Sequence, residues 1–175
     1  SMLGISYFNE IIEKEKITDT AEILNLLRKN IIEALKQKGE IGGSKDGMDL
    51  ALCSIDFSKK KLQYSGAFNP LILIRNNELT EVKADKMPIA YYDWMEPFKK
   101  EEIDLQKDDL LYIFSDGYID QFGGPTGRKF MKKHFKSLLL EISPLDMEQQ
   151  KEKLDKTFTN WRQNYEQTDD IVVIG

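Results

Sequence analysis

Short apolar runs separated by polar turns fill the middle of the chain, and they constrain its fold more than any other feature. Pairs of these runs have the length of strands and are joined by turn residues such as Asn76-Asn77 and Asp108-Asp109. Residues 85–101, with two prolines and four aromatic side chains, are interpreted as a loop held down by those aromatics. The predicted β-hairpins pair residues 50–57 with 62–66, 71–75 with 79–84, and 103–105 with 110–114.

Apolar residues recur at helical spacing before and after the predicted hairpins. Asp19 is a suitable N-cap for the second helix, and Gly39, which opens a glycine-rich loop reaching Gly47, is a suitable end. Hairpins followed by helices indicate an α+β fold class, with antiparallel sheet covered by helices. The predicted helices cover residues 2–15, 23–35, 130–142 and 145–165, and a last strand covers 171–174.

The composition is that of an ordinary soluble protein, and 175 residues have room for a single domain over residues 1–175. The net charge is −5 and forms no basic stripe, which argues against nucleic acid as a partner. No run approaches the roughly 20 apolar residues that span a bilayer. The single cysteine, Cys53, suits a reducing compartment, so we expect a cytoplasmic location.

The first candidate site residue is Asp116, which follows the apolar run 110–114 and precedes Gly117. A carboxylate at the end of a buried strand is held rigidly, as Mg²⁺ or Mn²⁺ requires, and Gly117 lets the backbone turn. Alternatively, Asp116 caps the turn or helix that begins at Tyr118. The residues alone leave both interpretations open.

The second candidate is the pair Asp169-Asp170, which precedes the last predicted strand. Adjacent carboxylates repel each other unless a positive charge lies nearby, so a metal ion would explain them, and so would a solvated loop. Asp108-Asp109 is the same dipeptide before another strand, and we interpret it as a plain hairpin turn. Local chemistry does not distinguish the two pairs.

Other classes of site lack the residues they need. His134 is the only histidine, predicted to be partly buried and structural, so a histidine-rich zinc site and a Ser-His-Asp triad are not supported. Residues 46–49 could hold a metal ion or cap a strand, and a structural role is favoured. The glycine-rich residues 123–129 could bend around a phosphate, cover a site or form a surface loop. If the protein is an enzyme, carboxylates and metal ions do the chemistry.

Residues 64–71, 114–118 and 169–171 read Tyr-Ser-Gly-Ala-Phe-Asn-Pro-Leu, Phe-Ser-Asp-Gly-Tyr and Asp-Asp-Ile. As a set, these segments resemble the stage II sporulation protein E branch of the metal-dependent (type 2C) serine/threonine protein phosphatases. The resemblance implies a sandwich of two antiparallel sheets flanked by helices. It also implies two Mn²⁺ or Mg²⁺ ions that activate a water molecule for attack on phosphoserine or phosphothreonine.

The resemblance puts Asp116 and Asp169 in metal-binding positions and gives Gly117 and Asp170 supporting roles. The family's other ligands lie upstream, in a Gly-Asp strand and an Asp-x-x-Gly-His-Gly segment, and this sequence contains neither. We therefore expect an N-terminally incomplete catalytic domain that binds at most one metal ion, weakly. We also expect the chain by itself to have little or no phosphatase activity.

The resemblance further implies partners. The expected substrate is a phosphorylated regulatory protein of the anti-anti-sigma type. An upstream sensory domain would act through the first helices, in a larger protein that is either cytoplasmic or anchored in a membrane. Exposed sheet edges would favour a homodimer.

The alternative function is a non-catalytic partner-binding module with a degenerate phosphatase fold. An unrelated α+β protein would be favoured if Asp116 and Asp169 lay more than ~10 Å apart.

Overall fold

The computed structural model of the chain describes residues 2–38 and 46–175, which fall into two units. Unit 1 comprises Ser1–Leu71 with Val82–Lys107, and unit 2 comprises Ile72–Glu81 with Asp108–Gly175. Most of the predicted loop from Gly39 to Gly47 lies outside the described residues. That residues 1–175 form a single domain stays a prediction.

Helices and strands follow the order that the sequence predicts, with short additions after Asp116. The first helix continues from its α-helical part into a π-helical turn, Glu10–Lys14. The helices are α1 Met2–Asn9, α2 Thr20–Ala34, α3 Gly117–Asp120, α4 Lys132–Ile142 and α5 Met147–Arg162. The strands are β1 Leu50–Asp56, β2 Lys61–Ala67, β3 Leu71–Arg75, β4 Glu78–Val82, β5 Glu101–Asp104, β6 Leu110–Phe114, β7 Phe122–Gly123, β8 Arg128–Lys129 and β9 Val173–Ile174.

Unit 1 combines the first helices with a sheet in the order β1-β2-β5. Both pairings are antiparallel, with Cys53 opposite Tyr64 and Leu62 opposite Ile103. The predicted cap of α2 is confirmed, because a carboxylate oxygen of Asp19 accepts hydrogen bonds from the backbone N–H groups of Ala21 and Glu22. The periodic apolar face of α2 is buried as predicted, through Ile23, Leu24, Leu27 and Ile31.

Unit 2 contains a sheet in the order β4-β3-β6-β9, with β9 antiparallel to β6. Aromatic rings dominate its core. Phe135 is fully buried, and its ring centroid lies 4.7 Å from that of Phe114 and 4.8 Å from that of Tyr118. These rings pack around the end of β6, and Asp116 follows two residues later.

The third predicted hairpin is wrong. Strand β5 pairs with β2, whereas β6 lies between β3 and β9 in the other sheet. Asp108 has the positive φ, 67°, that turns use, but turn chemistry does not specify which strand pairs with which. The nearly continuous apolar run of β6 agrees with a strand inside a sheet, which has β3 on one edge and β9 on the other.

The aromatic side chains of the predicted loop at residues 85–101 are only partly packed as predicted. Phe98 is buried beneath the guanidinium of Arg28, whose carbon lies 4.7 Å from the ring centroid. Trp94, in contrast, is 81% exposed. Over the described ranges, no helix combines the length and the apolar character that crossing a membrane requires.

Candidate functional site

Asp116 lies two residues after the end of β6 and occupies the N-cap position of the short helix α3. Its side chain is exposed and makes no capping hydrogen bond, while its main-chain oxygen accepts a bond of 2.9 Å from the N–H of Asp120. The capping interpretation of this carboxylate is therefore wrong. The interpretation as a metal ligand stays a prediction.

The residue before Asp116 holds the segment that contains the second candidate pair. The N–H of Ser115 donates to the carbonyl oxygen of Val172 at 3.0 Å. The Ser115 hydroxyl donates to the carbonyl oxygen of Asp170 and accepts from the N–H of Val172, both at 3.0 Å. Since β6 and β9 also pair here, the structure brings the segments of the two candidate aspartates together.

The residue after Asp116 touches the same segment. A Cβ atom at position 117 would lie 2.4 Å from the carbonyl oxygen of Asp170, closer than any real contact of that kind. Only glycine therefore allows this approach of the two backbones. The supporting roles of Gly117 and Asp170 stay predictions, and the structure adds that the two residues lie in contact.

Asp169 is exposed and lies at the surface of the loop between α5 and β9. One of its carboxylate oxygens accepts a hydrogen bond of 2.7 Å from the N–H of Asp170, and its carbonyl oxygen accepts one of 2.9 Å from the side-chain amide of Gln167. Across residues 2–38 and 46–175, no three His, Cys, Asp or Glu side chains form a group that could hold a metal ion. That Asp116 and Asp169 bind a metal ion stays a prediction, and the described residues do not bring a third such side chain to them.

Gln121 holds the same loop, and sequence reasoning missed it. The residue is fully buried, and its Nε2 donates to the carbonyl oxygens of Phe122 at 2.9 Å and Glu166 at 2.8 Å. Its Oε1 accepts from the N–H of Thr168 at 3.3 Å. Its partners are backbone groups, which leave no mark in the sequence, so only its position close to Asp116 could have drawn attention to it.

The glycine-rich residues 123–129 have a structural role. They connect the strands β7 and β8, and Gly124, with φ 66°, packs so tightly on the ring of Trp161 that a Cβ would lie 2.8 Å from it. The ammonium group of Lys129 pairs with the carboxylate of Asp120 at 2.7 Å. A close fit to an aromatic ring and a paired cation favour a packed surface hairpin over a phosphate-binding loop.

The remaining candidates are structural too. The backbone of Met48 accepts a hydrogen bond of 2.9 Å from Ile89, which ties residues 46–49 into unit 1. His134 is exposed and not partly buried as predicted, and its ring lies edge-on to those of Phe130 and Trp161, at centroid distances of 5.9 and 6.2 Å. Its Nδ1 lies 2.7 Å from the carbonyl oxygen of Phe130. Burial raises the pKa of the Cys53 thiol to about 11, which suits a core residue and not a nucleophile.

Comparison with known proteins gives a family and a fold. The model of the family described as Stage II sporulation protein E (SpoIIE) matches residues 1–175. A comparison with curated protein sequences gives no match.

Solved structures with the same fold include type 2C phosphatase domains. The SiaA-PP2C domain of Pseudomonas aeruginosa superposes with a TM-score of 0.84 at 24% identity, over 98% of this chain and 65% of that one. The RsbU and RsbW domains of Rv1364c from Mycobacterium tuberculosis give 0.69 at 17% identity, over 97% and 44%. RsbX in complex with magnesium gives 0.60 at 15% identity, over 99% and 73%. The chain thus spans about two thirds of the SiaA domain, and the predicted α+β phosphatase-like fold class is confirmed.

Proposed function

The chain belongs to the stage II sporulation protein E family, and from this premise we propose that it supplies the C-terminal portion of a metal-dependent serine/threonine phosphatase domain. The observation that carries the proposal is the set of contacts from Ser115 and Gly117 to residues 170–172. Through them, two carboxylates that are distant in sequence come to neighbouring segments at the ends of paired strands. Such rigid placement suits hard cations.

In this proposal Asp116 and Asp169 hold the metal, supported by Gly117 and Asp170. A bound pair of Mn²⁺ or Mg²⁺ ions supplies a water molecule of lowered pKa and neutralises charge that develops on phosphorus. Because the described residues offer no group of three ligands, we propose that this chain binds at most one ion, weakly. Turnover by the chain alone is then little or none, and hydrolysis belongs to a domain with further ligands.

The same ligand count favours a second candidate function. A domain of this fold that lacks a full donor set can bind a partner without hydrolysing anything, as a non-catalytic interaction module. Metal binding separates the two candidates, because a binding module has no need for Asp116 and Asp169 to share an ion.

The proposed substrate is a phosphorylated regulatory protein of the anti-anti-sigma type, and the proposed input is a sensory domain that acts through α1. One structural neighbour pairs an RsbU domain with an RsbW domain, which supports a regulatory setting for that protein's phosphatase fold.

A homodimer is proposed through β9, which ends its sheet in the described part of the chain and is flanked by the exposed Val172. Light scattering that gives a monomer at all concentrations would contradict the dimer.

The metal site is tested by titrating the isotope-labelled chain with Mn²⁺ and following paramagnetic broadening of its amide resonances. We expect broadening centred on Asp116 and Asp169, and its loss in Asp116→Asn and in Asp169→Asn. Asp108→Asn is the matched control, because Asp108 is an exposed aspartate of the other Asp-Asp pair and asparagine tolerates its positive φ. Broadening that is absent, or that is unaffected by either substitution, contradicts the metal site and favours the binding module.

Activity is measured in parallel with p-nitrophenyl phosphate and Mn²⁺. We expect little or no turnover from this chain. Turnover at the level of complete family members would contradict the proposed dependence on further ligands. It would not bear on Asp116 and Asp169 as metal ligands, which the titration tests.

A further inference from the structure

The segment that follows Asp116 contains a buried glutamine, Gln121, whose main chain and side chain are both hydrogen-bonded. The carbonyl oxygen of Gln121 accepts hydrogen bonds from the N–H of Phe130 at 2.9 Å and from Nε1 of Trp161 at 3.0 Å. Its side chain bonds Phe122, Glu166 and Thr168. Main chain and side chain are therefore both fixed, which makes Gln121 a rigid point in unit 2.

The loop that contains Asp169 is hydrogen-bonded, on both sides of Asp169, to one short stretch of chain, residues 115–121. Gln121 binds the loop before Asp169, at Glu166 and Thr168. Ser115 binds it after Asp169, at Asp170 and Val172. Asp116 belongs to this stretch and Asp169 lies between the two sets of hydrogen bonds, so these contacts, here called the clamp, hold the backbone of the loop beside that of Asp116.

We propose that Gln121 is a positioning residue which, with Ser115, fixes the loop of Asp169 beside Asp116. The inference rests on the proposed function only for the claim that the two carboxylates share a metal ion. A residue of this kind raises affinity by holding a ligand in place before the ion arrives.

The chemistry of an amide explains the residue type. Nε2 satisfies two carbonyl oxygens while Oε1 satisfies an N–H, so the same side chain must both donate and accept. A carboxylate at position 121 keeps the acceptor and loses both donors. A methionine of similar size fills the space, and the carbonyl oxygen of Glu166 and the N–H of Thr168 lose this partner.

The test compares Gln121→Met with Gln150→Met. Gln150 is the matched control: it is also a buried glutamine of unit 2, and its amide bonds the Tyr112 hydroxyl and the Leu145 carbonyl. Both substitutions remove buried amide hydrogen bonds, and only the first touches the loop of Asp169. A general loss of stability therefore appears in both variants, and a positioning effect appears in one.

Amide hydrogen exchange at residues 168–170 and Mn²⁺ broadening are the two readouts. In Gln121→Met we expect exchange at these amides to accelerate about tenfold more than in Gln150→Met. We also expect Mn²⁺ to bind about tenfold more weakly, with broadening spread over a wider set of amides. Equal acceleration in the two variants overturns the proposal.

Ser115→Ala tests the other side of the clamp, and it keeps the test decisive if Gln121→Met does not fold. Loss of the hydroxyl is expected to accelerate exchange at the Val172 amide, whose N–H it accepts, and to weaken Mn²⁺ binding in the same direction. An unchanged loop in Ser115→Ala overturns the clamp. If the unsubstituted chain shows no Mn²⁺ broadening, the metal part of the proposed function fails, while the exchange data still decide whether Gln121 positions the loop.

Discussion

Aliphatic side chains fill the core of unit 1, whereas aromatic rings fill much of the core of unit 2. Unit 1 buries chiefly isoleucine and leucine, and Tyr64 and Phe98 are buried rings among them. Unit 2 packs Phe114, Tyr118, Phe130 and Phe135 against one another at centroid distances near 5 Å. Aliphatic side chains can substitute for one another in a core, but rings in tilted contacts depend on each other's orientation.

The difference bears on where a site can be built. Both candidate carboxylates belong to unit 2, at the ends of strands whose inner residues contact the ring cluster. The ring cluster and the amide of Gln121 lie beside the segment that follows β6 and hold the loop that precedes β9. We infer that the core of unit 2 tolerates substitutions less well than the core of unit 1 and holds its loops more rigidly. The following predictions test this difference.

The largest effect is expected for Phe135→Ala in unit 2. The ring is fully buried and contacts Phe114 and Tyr118, so its removal should lower the free energy of unfolding by about 3–5 kcal/mol. Leu24→Met in unit 1 is the comparison, at less than about 1.5 kcal/mol, because the helix face is aliphatic and the volume is kept. Urea unfolding measures both, and equal losses would remove the contrast between the two cores.

The next effect concerns ion pairs. Arg75 binds the carboxylate of Asp109 through two nitrogens, at 2.8 and 2.7 Å, and that carboxylate is only 4% exposed. Arg75→Met should therefore cost about 2–3 kcal/mol. Lys100→Met breaks the more exposed pair with Asp19 in unit 1 and should cost clearly less. A similar loss from both variants in urea unfolding would contradict this order.

A smaller effect is expected for Asp19→Ala, at about 1 kcal/mol for the lost cap of α2. The hydrogen bond from Lys100 lowers the pKa of Asp19, so the ionised form adds stability above the pKa of the unfolded chain, and that stability is lost as the pH falls through the lower folded value. Asp19→Asn keeps the cap and removes the charge. Its stability difference from the unsubstituted chain should shrink below about pH 4, as unfolding at several pH values would reveal.

The last prediction concerns the reactivity of Cys53, for which no change in stability is involved. Because burial raises the pKa of this thiol to about 11, the native chain should react with iodoacetamide at pH 7 more than about 100-fold more slowly than the chain in urea. The rate then reports the opening of unit 1. Fast native alkylation would show that β1 is less protected than the core beside it.

Much of the fold follows from the sequence because its signals are local. Leu71–Arg75 and Leu110–Phe114 are strands with the predicted bounds, and Asp19 caps α2. The last helix, predicted to reach residue 165, ends at Arg162, since Gln163 adopts φ 50° and bonds back to Thr159. Helical spacing of apolar residues does not reveal such an end.

The candidate site is harder to predict from the sequence than the fold. Asp116 and Asp169 were ambiguous one at a time, and only the resemblance joined them. The third hairpin was wrong because a turn fixes the direction of a chain and not its neighbour in a sheet. Gln121 was missed because its partners are carbonyl and N–H groups, which every residue has. Long-range backbone contacts of this kind become visible only in three dimensions.

The two tryptophans of the chain lie in different units and in opposite surroundings. Trp94 of unit 1 is open to water, while Trp161 of unit 2 packs edge-on against Phe130 and donates its indole N–H to the carbonyl of Gln121. Trp94→Phe would therefore leave a single emitter in contact with the clamp. The wavelength and lifetime of its fluorescence would then give an optical signal from the loop of Asp169, without any label.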